Sequence, residues 1–383
     1  MIDLDALRRH PDLEAPGLQA TDAADRLILD EAAPALAGAH APGDVVVIDD
    51  AYGALALGAL DAGAHDVRVH QDPITGERAL AANAARLGVP EGDRPRSMPL
   101  GRELVEGARV VLLRLPRSLD RLDEVVGLVA AHAAPDVRVF AGGRIKHMSL
   151  AMNDVLGRWF DRVDVTHARQ KSRVLVASGP EPRHPAEGAP AQGAGWPREA
   201  RDAELGLTVV AHGGVFAGTG IDIGTRFLLG VLDDAVPDTA IAVDLACGSG
   251  VVATWLARRR PALVVHASDR SAAAAASARL TAAANGVAER VRVTRADGLE
   301  HLPDASERLV VLNPPFHSDA ALHTGIATHL FGEAARVLEP GGELWCVWNS
   351  HLRYRPLLER IVGPTRQVAR NPKFTVTASA SAG

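Results

Sequence analysis

At 383 residues the chain is too long for one ordinary domain and suits two, and with 47% apolar and 23% charged residues it can bury two substantial cores. The net charge of −6 does not advertise a nucleic-acid binder, no apolar run approaches the roughly 20 residues that cross a bilayer, and the start Met1-Ile2-Asp3-Leu4-Asp5 is acidic where a signal peptide would be basic. Cys247 and Cys346 are the only cysteines and have no His or Cys around them at zinc-ligand spacing, which argues for a reducing cytoplasm, no disulfide framework and no metal, as the lack of a long apolar run argues for no membrane.

Charge divides unevenly along the chain. Residues 1–204 carry 24 Lys and Arg against 31 Asp and Glu, whereas residues 205–383 carry 17 against 16. Two stretches, Arg138 to Arg183 and Arg353 to Lys373, are each net +5 and hold all three lysines, Lys146, Lys171 and Lys373. Such runs are ordinarily solvated faces.

In chain order, the first thirty residues read as helical, with Leu18, Leu27, Ile28 and Leu29 as apolar contacts. Val45-Val46-Val47-Ile48-Asp49-Asp50 then reads as a buried parallel strand entering a turn and helix at Ala51-Tyr52-Gly53-Ala54. Further strands follow at Val67 to Asp72, Arg109 to Pro116, Val137 to Gly143 and Arg173 to Ala177, with helices over Glu77 to Leu87 and Leu119 to Ala133. Strands alternating with helices predict an α/β fold with a doubly wound, mostly parallel sheet. From Gly179 to Pro197 the chain is crowded with Pro, Gly and Ala, the composition of a linker.

The second half repeats the first at roughly 195 residues, the mark of a duplicated domain. The expected division is 1–178, a degenerate copy; 179–204, the linker; and 205–383, the catalytic copy. Ile241-Ala242-Val243-Asp244 sets Asp244 opposite Asp49, and Leu312-Asn313-Pro314-Pro315 answers to Leu113-Arg114-Leu115-Pro116. In this reading Gly250 has no glycine counterpart, because Ala54-Leu55 stands for Ser249-Gly250.

Gly248-x-Gly250-x-x-Ala253 follows a strand and opens a helix, so missing side chains let a nucleotide-like ligand approach the backbone. Alone, the pattern fits NAD as well as anything else. Asp244 ends the strand where a carboxylate suits the α-amino group of an amino-acid moiety and repels a pyrophosphate. Asp269, with Arg270 beside it, ends the next strand, where an acid can accept from ribose hydroxyls, and Asp297-Gly298 is placed to reach an adenine amine. Three acids on successive strand ends describe S-adenosylmethionine, although each alone is as readily a helix N-cap.

Val310 to His317 is an apolar strand ending in a stiff turn, since two prolines fix φ and supply no N–H. Asn313 and the Pro314 carbonyl make a pair of acceptors suited to a planar amino group, Pro315 stiffens the corner, and Phe316 offers a face for stacking. His317 is a candidate substrate contact. Glu343 to Trp348 reads as a strand and Gln367 to Ala378 as a closing hairpin, whose basic flank Arg366, Arg370 and Lys373 is placed near the cofactor edge to touch phosphate.

On these motifs the chain resembles class I S-adenosylmethionine-dependent methyltransferases, and within them the ribosomal RNA guanine-N2 methyltransferases built from two tandem Rossmann-like domains. The resemblance rests on His212-Gly213-Gly214-Val215-Phe216, on Ile221 to Leu229, on Asp244 to Gly250 and on Asn313 to His317. It implies that Phe216, Asp222, Gly224 and Thr225 join Asp244, Ala246, Gly248, Gly250, Asp269, Arg270, Asp297, Gly298 and Asn313 around S-adenosylmethionine. It also implies ribosomal RNA or a ribosomal subunit precursor as partner, with the large subunit slightly favoured, and a first domain that binds no cofactor and helps hold RNA. A chain that already pairs two domains is expected to work as a monomer. Rival readings are a methyltransferase acting on adenine N6 or a protein glutamine, an NAD-dependent dehydrogenase, and a non-catalytic RNA-binding or assembly protein.

Overall fold

A computed structural model of the chain describes residues 2–39, 41–181, 195–315 and 320–381, with backbone alone over 320–324. The chain forms two compact units, Met1–Trp196 and Pro197–Gly383.

In the first unit, α1 (Ala23–Leu36) leads to β1 (Val45–Ile48), α2 (Ala54–Asp61), β2 (Arg68–His70) and α3 (Ile74–Arg86). Next come β3 (Arg96–Ser97), α4 (Arg102–Val105), β4 (Val110–Arg114) and α5 (Leu119–His132). The unit closes with β5 (Arg138–Arg144), α6 (Leu150–Leu156), β6 (Phe160–Val165) and β7 (Ser172–Pro180). The helical reading of the first thirty residues holds only from Ala23, because Pro11 and Pro16-Gly17 interrupt the chain and Asp22 closes a capping box with Asp25. The sheet order is β3-β2-β1-β4-β5-β7-β6, parallel except at β7, which runs antiparallel to β5 and β6. All four residues of β1 are buried, as expected of a strand covered on both faces.

The second unit begins with a hairpin, β8 (Arg198–Asp202) and β9 (Leu207–Ala211), then α7 (Ile223–Leu229), β10 (Ile241–Leu245), α8 (Val251–Arg259) and β11 (Val264–Asp269). It continues through α9 (Ala272–Ala284), β12 (Val291–Arg295), β13 (Glu307–Leu312), α10 (Ala320–Val337) and β14 (Leu338–Asn349). Last come α11 (Arg355–Ile361), β15 (Thr365–Arg370) and β16 (Phe374–Ala380). Its main sheet, β12-β11-β10-β13-β14-β16-β15, repeats the first order strand for strand. The expected linker is corrected at both ends: β7 runs on through Pro180, and Arg198–Asp202 pairs with β9.

Strand register also corrects the alignment of the two copies. Ile48 pairs with Leu113 and Leu245 with Leu312, so Leu245 answers to Ile48 and Asp244 to Val47, not to Asp49. Asp49 and Ala246 then share a left-handed backbone, φ 58° and 57°, and Gly53 and Gly250 are the left-handed N-caps of α2 and α8. The first copy therefore keeps one glycine of the loop. Any side chain at Gly250 would put its Cβ 2.8 Å from Ala278 Cα, so close packing of α8 on α9 as well as φ reserves the position.

In each sheet the crossover direction reverses beside the first strand, between β1 and β4 and between β10 and β13. That reversal opens a crevice at the carboxyl ends of the strands, where doubly wound sheets bind ligands.

Candidate active site

The crevice of the second unit is a cleft of about 450 Å³, part of it open to solvent. Phe216, Asp222, Thr225, Asp244, Ala246, Gly248 and Asn313 line it together, joined by Ile221, Val251 and Val252 that sequence reading passed over. Those three are ordinary core-type residues by composition, and only the fold turns them inward. Gly248, at φ 54° with open space where a Cβ would project, leaves the loop backbone bare toward a ligand.

Asp244 is 3% exposed and accepts a hydrogen bond from Ala253 N at 2.9 Å, bracing the first turn of α8. Burial pushes its carboxyl up to about 7, and the nearby Asp269 charge adds to the rise. A buried acid in this state stands ready to exchange its proton for a cationic ligand group.

Asn313 follows the last residue of β13 and is wired on one side only. Its Nδ2 donates to Thr225 Oγ1 at 3.0 Å and, at 3.5 Å, to Asp222 Oδ2. Asp222 is itself fixed as the N-cap of α7, accepting from Gly224 N and Thr225 N. The Oδ1 of Asn313, buried in the cleft wall, has no hydrogen-bond partner among the described residues. Such an orphaned acceptor costs about 1–3 kcal/mol unless a ligand donor meets it.

The other expected residues distribute as follows. Asp269 ends β11, with one oxygen accepting from Gly248 N and the other from Ser271 N, each at 2.9 Å, so it holds the glycine loop in place. Arg270 follows it. Asp297 and Gly298 sit after β12, where His329 Nε2 lies 3.1 Å from Asp297 Oδ1 and Ser268 Oγ donates to the Gly298 carbonyl. Pro314 is buried and Pro315 half-buried, whereas Phe316 and His317 lie outside the described residues. Gly224 packs against Phe374, the neighbour of Lys373.

The basic flank is not one group. Arg370 and Lys373 stand at the turn between β15 and β16, at the same end of the sheet as the cleft, since Asn349 pairs with Phe374. Arg366 is drawn off at the edge strand β15, bonded to both oxygens of Glu343 at 3.0 and 3.1 Å and stacked over Trp345. Its expected place near the cofactor edge is corrected by this pairing.

The first copy shows the same wiring with other chemistry. Arg114, in the place of Asn313, pairs with Asp22 at 3.0 Å and Asp25 at 3.2 Å, where the second copy has Asp222 and Thr225. The loop position of Ala246 holds Asp49, tied to the buried Arg121 at 2.9 Å. Tyr52 stands for Ser249, with its hydroxyl donating to Asp12 at 2.7 Å. Gln71, answering to Asp269, donates to the Asp50 carbonyl. Side chains of the protein fill what the second copy leaves open.

Both halves match known families: residues 3–181 the RLMG N-terminal domain and residues 206–378 the Methyltransferase small domain. The chain is 35% identical over 376 residues to ribosomal RNA large subunit methyltransferase G of Pseudomonas aeruginosa, covering 97% of this chain and 96% of that one. The chain belongs to the ribosomal RNA large subunit methyltransferase G family. The member from Stutzerimonas stutzeri is 34% identical over 381 residues, covering 98% and 97% of the two chains. The fold is shared with a solved 16S rRNA N2 methyltransferase of T. thermophilus in complex with AdoMet and guanosine, at 22% identity and TM-score 0.72, covering 96% of this chain and 97% of that one.

Proposed function

We propose that the chain is an S-adenosylmethionine-dependent methyltransferase acting on the exocyclic 2-amino group of a guanine in large-subunit ribosomal RNA. The observation that carries this reading is Asn313 Oδ1, without a hydrogen-bond partner among the described residues, in a cleft lined also by Asp244 and the glycine loop. The family relatives supply the RNA class by their names.

The residues fit the cofactor. Asp244 would meet its α-amino group, the bare backbone at Gly248 its amino-acid end, Asp269 the ribose and Asp297 the adenine amine, with Phe216, Thr225 and Ala246 completing the walls. When bound, S-adenosylmethionine supplies an electrophilic methyl group on a sulfonium.

A guanine 2-amino nitrogen is a weak nucleophile because its lone pair is delocalised into the ring. Asn313 Oδ1 and the Pro314 carbonyl would accept its two N–H bonds and favour a pyramidal nitrogen. Holding both reactants in one orientation contributes about 7–11 kcal/mol in well-aligned cases. No strong base is needed, since the methylated ammonium is acidic and releases a proton to water. Arg370 and Lys373 would meet phosphate beside the cleft, and Phe316, next in sequence to the turn, is the candidate stacking face.

Thr225 sets which atom of Asn313 faces the cleft. Thr225→Val removes the acceptor that holds Nδ2, so kcat is expected to fall about tenfold with S-adenosylhomocysteine affinity little changed, the loss of about one hydrogen bond. Calorimetric titration beside single-turnover rates checks this; equal losses in both would make Thr225 a mere wall residue.

Asp244 predicts a pH signature. A cationic partner favours the carboxylate, so below its raised value of about 7 a proton must leave on binding. Affinity for S-adenosylhomocysteine should be on the order of five- to tenfold weaker at pH 6 than at pH 7.5, following the ionised fraction. Asp244→Asn should bind weakly and without that dependence.

The test of the function is mass spectrometry of 23S ribosomal RNA from cells lacking this chain. One missing methylguanosine, restored by the parent and not by Asn313→Ala, supports the proposal; an unchanged methylation pattern rejects it.

A further inference from the structure

Asp297 stands at the same end of the sheet as Asp269 and one strand further out, since Asp269 pairs with Arg295 and Ala296 N donates to the Asp269 carbonyl at 3.0 Å. The loop it opens is pinned from β11 and from α10. Ser268 Oγ donates to the Gly298 carbonyl at 2.6 Å, Glu333 Oε2 accepts from Leu299 N at 2.9 Å, and Arg336 NH2 donates to the Leu299 carbonyl at 2.8 Å. Gly298, at φ 61°, passes so close to α10 that a Cβ there would sit 2.6 Å from Glu333 Cγ. The backbone of the loop is thus fixed without His329.

His329 lies one turn before Glu333 on the same face of α10 and meets the side chain of the loop instead of its backbone. Its Nε2 is 3.1 Å from Asp297 Oδ1. A carboxylate only accepts, so this contact places the imidazole proton on Nε2. The pair is partly open to solvent, with the Asp297 side chain 22% and the His329 side chain 47% exposed, so it adds little to the stability of the fold. The hydrogen bond to Asp297 raises the His329 pKa, with Glu333 adding to the rise and partial burial and Arg270 opposing it. What a contact of this kind governs is the direction of the carboxylate, at the strand end assigned to the adenine.

We infer that His329 is a positioning residue for the cofactor: it fixes the Asp297 carboxylate in the orientation that accepts from the 6-amino group of adenine, and so sets the preference for a 6-aminopurine. The inference deepens the S-adenosylmethionine reading and rests on it. Without His329 the carboxylate gains rotamer freedom, and the amine meets an acceptor that must be ordered at the moment of binding. A nucleoside with no amine at that place loses nothing by the change.

The test is calorimetric titration of the full chain with S-adenosylhomocysteine and with its 6-deamino analogue, in which purine replaces adenine. The parent should bind the analogue about tenfold more weakly, the loss of about one hydrogen bond to a charged acceptor. His329→Ala should bind S-adenosylhomocysteine about fivefold more weakly than the parent does and the analogue about equally, so the preference for the amine shrinks to about twofold. His329→Gln, whose amide nitrogen donates from the place of the imidazole Nε2, should recover most of the preference. Neither substitution should move the melting temperature of the unliganded chain by more than about 2 °C, because Glu333 and Arg336 keep the loop. An undiminished preference in His329→Ala overturns the inference. So does an equal weakening of both ligands, which would make His329 a packing residue of the loop. A parent that binds both ligands alike also overturns it, since Asp297 would then not read the amine. Failure of the cofactor reading would show separately, as a parent that binds neither ligand.

Discussion

Asn313→Ala should lower kcat by about 10²–10³ while S-adenosylhomocysteine affinity stays within about threefold, the signature of an interaction made chiefly in the transition state. The reason lies in how the amide is held. Thr225 and Asp222 take the Nδ2 side, at 3.0 and 3.5 Å, and leave Oδ1 buried with no partner among the described residues. Alanine removes that acceptor without adding bulk or charge, and the stiff Pro314-Pro315 turn keeps the backbone where it was. Single-turnover methylation of a 23S fragment reads the chemical step directly. Unchanged turnover would remove the amide from the mechanism, and absence of turnover in the parent itself would favour the non-catalytic RNA-binding reading.

The largest expected effect on stability lies in the first unit. Arg121 is 5% exposed and fully committed, with NH2 2.9 Å from Asp49 Oδ1 and Glu124 at 3.9 Å. Removing one partner of a buried pair strands the other charge, at a cost of about 3–5 kcal/mol. Arg121→Ala should therefore lower the melting temperature of the first unit by about 10 °C. Binding of S-adenosylhomocysteine, a property of the second unit, should survive below that transition. Arg121→Met/Asp49→Ala, which leaves no stranded charge, should recover much of the loss. A first transition unmoved by Arg121→Ala would mean the pair contributes nothing beyond filling space.

Much of this was legible in the sequence because local pattern carries it. Short apolar runs ending in acids marked the strands around the cleft, and the glycine loop and Asn313-Pro314-Pro315 turn stand at the strand ends where composition put them. What stayed hidden depends on three-dimensional neighbours. That Thr225 orients Asn313 needs α7 to be packed beside the end of β13, 88 residues away in the chain. Arg366 looked like part of a basic flank until Glu343, across the sheet, claimed it. The copies were set two residues out of register because Asp49 and Asp244 are both acids near a strand end. Strand register, with the shared left-handed backbone at Asp49 and Ala246, reveals the true match. Arg144 and Lys146 fall in the basic stretch from Arg138 to Arg183, but charge counted along a chain does not show that they share a cleft wall with Arg117.

The most direct measurement of the central claim is a crystal structure of the chain with S-adenosylhomocysteine and guanosine. The account predicts one cofactor per chain, in the second unit beside Asp244, with the guanine 2-amino nitrogen in hydrogen-bond contact with both Asn313 Oδ1 and the Pro314 carbonyl. A cofactor seated in the first unit, or a guanine amine turned away from Asn313, would contradict it.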